Sequence, residues 1–430
     1  MAASLDILGL LAVLDEYPGY LLFGLVQLGF HILAGGSSLL EASSEHQLVS
    51  LPRIMKKLAF SLFKGLLCIE HPTISLLGLL QQMEEQQPVD VRVFSHGFKQ
   101  CKNDYSLFVF GEGTIATFLL VYVDDIIIAG PDNTMIKRVE DKLSIVFKLK
   151  FLGDLKFFLE LELAKSSEGI FLSQCKCALS LVGCKLAPSP MDVNYKLRAS
   201  EGEILADPST YRRLIRRLMY LKISRPNITF AVTKLAQFMA DPHVPHLNAV
   251  HHILRYLKAA PSQGILFSTT NKFNLSVYAD ADWKNCLDTR RSTIGYCAFL
   301  GDLLVSWKNK QTAVSRSSTK AEYKAVANAT CEIVWLIGLL RFLGIHIDSA
   351  MLFCDNISAI HMETNPALHE LSKYIEIDCH FIRKKVIVKP LNWCTSLASI
   401  NCVDILTKAL PPQFRFLMTK PGIYDIYAPP

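Results

Sequence analysis

The sequence predicts an α/β (α+β) protein with two successive units of mixed sheet and helix, and three observations predict it. From about Phe94 short apolar strands alternate with amphipathic stretches of helical period. An early strand pair, "LLVYVDDIIIAG" (Leu119 to Gly130), closes on two aspartates, Asp124 and Asp125. After "PSQG" (Pro261 to Gly264) a new order of strand, hairpin, long helix and strand begins. At 430 residues the chain has room for two or three cores, and 50% hydrophobic with 20% charged residues excludes general disorder.

Residues 1–93 differ from the rest in being rich in Leu and Gly and poor in charge. Between Glu16 and Glu41 no residue carries a formal charge, a run long enough to cross a bilayer. Pro18, the glycines, Gln27, His31 and the lack of a Lys/Arg cluster before Arg53 argue against a span, so membrane association is not expected. In the 119–130 stretch the β-branched flanks bounded by Gly130-Pro131 predict a buried hairpin with the aspartates at its turn. Such a pair is either an Asx-type turn or a metal site, and local pattern leaves both open.

Helical patterns follow at Thr134 to Phe147, Pro208 to Ile223, Ile228 to Met239 and His246 to Leu257. In the second, Arg212, Arg213, Arg216 and Arg217 line one side and Leu214, Leu218 and Leu221 another, giving either a solvated face or a phosphate-binding one. The second unit reads as a strand "LSVYADADW", a hairpin "GYCAFLGDLLVSWKN", a long helix ended by Gly344 and a strand "MLFCDN". A short helix near Ile357 to Glu363, a strand near Val386 to Trp393 and a last helix at Cys402 to Leu410 complete it. The boundaries expected are 1–93 for an apolar extension, 94–261 and 262–415 for the two units, and 416–430 for a tail.

The net charge of +6 is consistent with a polyanionic partner without requiring one. Twelve cysteines scattered through apolar segments read as buried thiols of a reducing compartment. Cys175 with Cys177, and His243 with His246, are isolated pairs with poor zinc spacing.

Four acids of the second unit fall at element ends: Asp280, Glu322, Asp355 and Asp404. Strand ends and helix starts are where an open α/β sheet gathers a site, and four converging carboxylates need a hard divalent cation such as Mg²⁺ or Mn²⁺. Each acid also has an ordinary reading. Thr319 and Glu322 have capping-box spacing, Asp355 suits an N-cap, Asp404 suits a first helical turn, and Asp280 suits a loop. Spacing alone leaves the two readings level.

The segments "YADADW…DTRRSTIGYCAFLGDLLVSWKNKQTAVSRSSTKAEYKAVANATCEIVWL", "LFCDN", "KYIEIDCHFIR" and "CVDILTKALP" resemble the ribonuclease H region of copia-type LTR retrotransposon polyproteins. "GFKQCKNDYSLF", "LLVYVDDIIIAG", "LGDLKFFLELELA", "YRRLIRRLMYLKISRPNITFAV" and "HILRYLKAAPSQGILF" are similar to the later reverse transcriptase palm and connection of the same family. The resemblance covers roughly residues 94 to 411 and begins near Phe94. It implies a ribonuclease H-like, mostly five-stranded mixed sheet whose metal acids are Asp280, Glu322, Asp355 and Asp404, with Asp282 ranked below Asp280. It implies Mg²⁺ (or Mn²⁺) as cofactor, no small-molecule cofactor, and an RNA·DNA hybrid or other nucleic acid as partner. Arg212, Arg213, Arg216, Arg290, Arg291 and Arg316 are the basic residues expected to meet phosphate.

The family's polymerase motif falls on Asp124 and Asp125, while the further palm aspartate that the chemistry needs is not found upstream in this chain. The polymerase half is therefore expected to be incomplete and its two aspartates vestigial. Arg216 stands where the family has a small residue, the helix before Gly183 is short, and "VIVKPLNWCTSLASINCVD" departs from the usual loop, as in a truncated or decayed element copy. Hybrid cleavage is the expected activity. A silent nucleic-acid-binding remnant, or a polymerase completed by another chain, are the alternatives.

Overall fold

The computed structural model describes residues 73–79, 97–111, 116–122, 125–146, 149–179, 186–268, 273–311, 314–347, 349–359, 391–395, 402–409 and 423–425. The uncharged stretch Tyr17 to Leu40 and residues Val123 and Asp124 lie outside the described residues. Two units emerge, Met1–Leu155 with Val334–His346 and Lys156–Ile333 with Ile347–Pro430.

The first unit contains β1 (Thr73–Leu79), β2 (Lys99–Gln100), β3 (Leu107–Phe110), β4 (Thr117–Tyr122), β5 (Asp125–Gly130), α1 (Asn133–Val146) and β6 (Leu149–Asp154). Its sheet has the order β2-β3-β4-β5-β1-β6, with every pairing antiparallel. β4 and β5 are buried almost throughout, which explains their unbroken apolar character. Tyr122 pairs with Asp125, so the two strands of the expected hairpin pair, with Asp125 the first residue of β5. Asp132 caps α1 by accepting from Thr134 N at 2.8 Å, and Ile136, Val139 and Leu143 follow at helical period. They pack on Phe98, Phe108, Leu119, Ile126 and Ile128, each burial contributing about 1.5–3 kcal/mol.

The second unit runs β7 (Phe157–Phe158), β8 (Leu161–Lys165), β9 (Gly169–Ser173), α2 (Cys175–Leu179), α3 (Pro208–Leu221), α4 (Thr229–Ala236), α5 (Val244–Ala259) and β10 (Gln263–Ser268). It continues with β11 (Leu275–Asp282), β12 (Thr293–Leu300), β13 (Leu303–Gln311), α6 (Ser318–Phe342, of which the part up to Ile333 belongs to this unit and the part from Val334 to the first), β14 (Ala350–Cys354), β15 (Leu391–Thr395), α7 (Asp404–Thr407) and β16 (Ile423–Asp425). One sheet has the order β16-β10-β9-β8-β7 and the other β13-β12-β11-β14-β15. In the latter β11, β12 and β13 are antiparallel neighbours, whereas β14 joins β11 in parallel and β15 joins β14 in parallel. This is a five-stranded mixed sheet, as the resemblance implies.

Several details differ from the sequence reading. On α3 the buried stripe is Tyr211, Ile215, Leu218 and Leu221, while Leu214 is only half-buried, because the helix turns its 211–215–218 row toward α4 and α5. Asp207 caps this helix through Ser209 N and Pro208 fills its first turn; the donors on Asp207, Ser209 first, lower its carboxyl to about 2. At α6 the cap is Ser317, whose Oγ accepts from Lys320 N at 3.3 Å, so Thr319 and Glu322 form no capping box. The helix ends as expected at Gly344 (φ +82°), with Ile345 N donating to Leu340 O. β15 is described from Leu391, and residues 386–390 of the expected strand lie outside the described set. α7 is shorter than expected: Cys402 and Val403 form a turn before it and Lys408 leaves it in extended backbone. The expected helix from Ile357 is described only to Ala359.

His243 and His246 are structural. His246 Nδ1 accepts from His243 N at 2.9 Å, its Nε2 meets Arg198 O, and His243 Nδ1 meets Gly202 O. All cysteines among the described residues are free thiols.

Candidate metal centre

The site is built at the C-terminal ends of two parallel strands. Tyr278 of β11 is level with Phe353 of β14, and their rings stack at 4.6 Å. Two residues further along, alternation brings Asp280 and Asp355 to the same level at the strand ends. Asp280 is buried at 2% exposure and Asp355 is exposed, so the pair runs from the sheet interior to the surface.

Glu322 enters from the second turn of α6 at 7% exposure. Its carboxylate accepts from the Ala281 amide, yet Oε2 is buried without a hydrogen-bond partner. Burial above all, then the charges of Asp280 and Asp355, push its carboxyl up to about 9. Ligand atoms of Glu322, Asp355 and Cys354 lie within 4.8 Å of one another. Burial raises the Cys354 thiol to about 12, which keeps it protonated and makes it a poor ligand for a hard cation.

Asp404 opens α7, which packs on β12 across Gly295, the residue paired with Asp280. A Cβ on Gly295 would lie 2.8 Å from Thr407 Cγ2, so the glycine is what lets α7 approach. Thr407 Oγ1 donates to Asp280 Oδ2 in a short hydrogen bond, and Lys408 Nζ reaches Asp280 Oδ1 at 3.3 Å and Asp404 Oδ1 at 2.7 Å. Burial raises the Asp280 carboxyl, with Lys408 and Thr407 opposing that shift. Burial lowers the Lys408 ammonium, but the two aspartates outweigh it and leave it raised.

All four predicted acids therefore meet in one place. An orphaned buried carboxylate oxygen amid three other acids is the donor set of a hard divalent cation, so the residues fit Mg²⁺ or Mn²⁺. Thr407 and Lys408 were not anticipated. The i, i+4 spacing of Asp404 and Lys408 could have signalled the second of them. Asp282 is half-buried and engaged by the Asn285 amide, with the Lys408 charge acting on it as well.

The other predicted residues do not join this cluster. Asp125 stands half-buried at the start of β5, opposite Tyr122 and Gly78, and Asp124 lies outside the described residues. Arg212 Nε donates to Met239 O at 2.8 Å, and another of its guanidinium nitrogens to Ala240 O at 2.9 Å, which ties α3 to the end of α4. Arg213, Arg216, Arg290, Arg291 and Arg316 are exposed. Arg290 sits at φ 56° in a tight loop closed by Arg290 N on Cys286 O and Cys286 N on Arg291 O.

The reverse transcriptase (RNA-dependent DNA polymerase) family matches residues 73–185. That match begins upstream of Phe94, where the resemblance was expected to start, and it takes in β1, which pairs with β5. The chain is 38% identical over 358 residues to the retrovirus-related Pol polyprotein from transposon RE2 of Arabidopsis thaliana, covering 81% of this chain and 25% of that protein. An uncharacterized mitochondrial protein of Arabidopsis thaliana is 36% identical over 225 residues, covering 51% of this chain and 93% of the relative. A solved structure of the foamy viral protease-reverse transcriptase in complex with dsDNA overlays at TM-score 0.39 and 13% identity, over 86% of this chain and 74% of that one. The chain thus spans about a quarter of the length of the Pol polyprotein it matches. It therefore carries a reverse transcriptase-family segment and is strongly homologous to the retrovirus-related Pol polyproteins of copia-type transposons.

Proposed function

We propose that the second unit, centred on residues 262–415, cleaves the RNA strand of RNA·DNA hybrids by metal-assisted phosphodiester hydrolysis, leaving 3′-hydroxyl and 5′-phosphate ends. The observation that carries this reading is Glu322 Oε2, a buried carboxylate oxygen with no partner, beside Asp280 and Asp355. Leaving such an atom unpaired costs about 1–3 kcal/mol, and a bound cation would relieve that cost. Homology to Pol polyproteins supports nucleic acid as substrate.

Asp280 and Asp355 would be the central ligands, Glu322 would orient the attacking water, and Asp404 would complete the set. Bound Mg²⁺ supplies an activated water and stabilises the leaving oxygen. Thr407 holds Asp280 in one rotamer through its hydroxyl, and exposed Asp355 marks the open side through which substrate arrives. Arg290, Arg291 and Arg316, on exposed loops of the same unit, are assigned to the phosphate backbone of the hybrid. The hairpin acids have no part in this reaction: β1, paired with β5, reads "TISLLGL" and brings no carboxylate to Asp125.

The test is hybrid cleavage by the full chain. Mg²⁺-dependent cutting of the RNA strand, suppressed by chelator and absent on duplex DNA, is the expected result. Hybrid binding that weakens steeply with salt but yields no product would overturn the proposal in favour of a silent binding remnant.

A further inference from the structure

The last helix brings a cation of its own to the acidic centre. Lys408 Nζ lies 2.7 Å from Asp404 Oδ1 and 3.3 Å from Asp280 Oδ1, while Thr407 engages the other oxygen of Asp280. Two of the four acids are thus already met by donors from this chain, and the Glu322 oxygen is not. The cluster is therefore asymmetric: one side is met by an ammonium, and the other holds a buried carboxyl with one unpartnered oxygen next to exposed Asp355.

Lys408 is 40% exposed along its side chain, against 2% for Asp280, so the ammonium has a way out to water on a flexible four-carbon stem. An ammonium and a divalent cation at the same carboxylates compete, because the two cations repel each other at close range and each takes up acceptor sites on the same oxygens. We infer that Lys408 is a built-in counter-ion that competes with a divalent cation for Asp280 and Asp404. The centre then takes one ion readily on the Glu322–Asp355 side and a second only by displacing Lys408. This inference rests on the metal-dependent reading above.

Helix geometry supports a built arrangement. Asp404 and Lys408 are one turn apart, and Lys408 N also closes on Asp404 O at 2.9 Å, so the pair is set by α7 itself. Asp280 arrives from β11, distant in sequence, and its approach to both residues depends on the close packing of α7 over Gly295. The ammonium therefore substitutes for part of the charge that an ion would supply, and it steadies the acids when no ion is bound.

The test uses Mn²⁺ as probe on the full chain, counted by electron paramagnetic resonance, for wild type, K408Q and K408R. Wild type should take up one Mn²⁺ with the second at least about tenfold weaker, and K408Q should tighten the second by about tenfold, the effect expected from removing one near-surface charge pair. K408R, which keeps the charge, should bind as wild type does. Equal second-ion affinity in wild type and K408Q would overturn the inference while leaving the metal reading intact, and so would K408R behaving like K408Q. No Mn²⁺ uptake by any of the three would overturn the metal reading and this inference with it. A measurement on wild type alone covers the case in which K408Q fails to fold. Displacement predicts that Mn²⁺ increases acylation of the Lys408 amine severalfold, read by mass spectrometry, and unchanged or reduced labelling would overturn it.

Discussion

The β4–β5 hairpin and the β11–β14 strand pair both end in acids, and their surroundings differ in kind. Asp125 stands half-buried at the start of β5, beside a strand, β1, that offers no carboxylate. At the other site Asp280 and Glu322 are nearly sealed from solvent, and Asp355 and Asp404 come in from separate elements. Water can solvate a carboxylate at a turn, so the first arrangement needs no ligand. The second leaves a buried oxygen without a partner and holds acids together against both desolvation and repulsion. Asp125 of the hairpin needs no further partner, while the cluster around Glu322 keeps one buried oxygen for which this chain supplies no donor among the described residues, which is why the chemistry is proposed there.

The largest effect expected separates the two regions directly. D280N should lower Mg²⁺-dependent hybrid cleavage by about a thousandfold, the loss of several kcal/mol of charge stabilisation, while D125N leaves it unchanged in the same assay. A D125N chain that cleaves as poorly as D280N would break the comparison.

The next effect tests whether placement, and not merely the presence of acids, makes the second site. G295A puts a methyl 2.8 Å from Thr407 Cγ2 and 3.2 Å from Val403 Cγ1. It should cost about 2–3 kcal/mol in denaturant unfolding and carry cleavage down with it, although every acid remains. Full activity in a destabilised G295A chain would show that α7 need not sit where it does.

The smallest effect sharpens the electrostatic side of the comparison. Glu322 keeps its proton up to about pH 9 when folded but releases it near pH 4.5 when unfolded. The folded chain holds the extra proton between those values, so without metal its stability falls as pH rises through that window. E322Q should flatten this slope and add about 1–2 kcal/mol on the alkaline side, followed by thermal unfolding with chelator present. Mg²⁺ should raise the stability of wild type on that side and leave E322Q nearly unmoved.

The period of α3, the β-branched flanks of the hairpin and the Gly344 stop were open to reading from residues alone, because each depends on neighbours within a turn or a strand. Errors arose where a local pattern had a competitor nearby or a partner far away. Thr319 and Glu322 have capping-box spacing, yet Ser317 takes the cap and Glu322 points into the core. Arg212 belongs to a basic face by periodicity, yet its guanidinium is held by carbonyls at Met239 and Ala240, which only the packing of α4 on α3 brings within reach.

The family resemblance, the succession of elements along the chain and the choice of the four acids as candidates follow from short-range pattern and resemblance, since hydrophobic period and motif spacing are properties of the chain as written. Which acid is sealed, which oxygen is left without a partner, and the meeting of Lys408 with Asp280 across the packing of α7 on β12 belong to the fold. Desolvation and Coulomb energy depend on distance through space, and here the groups that set them are far apart along the chain.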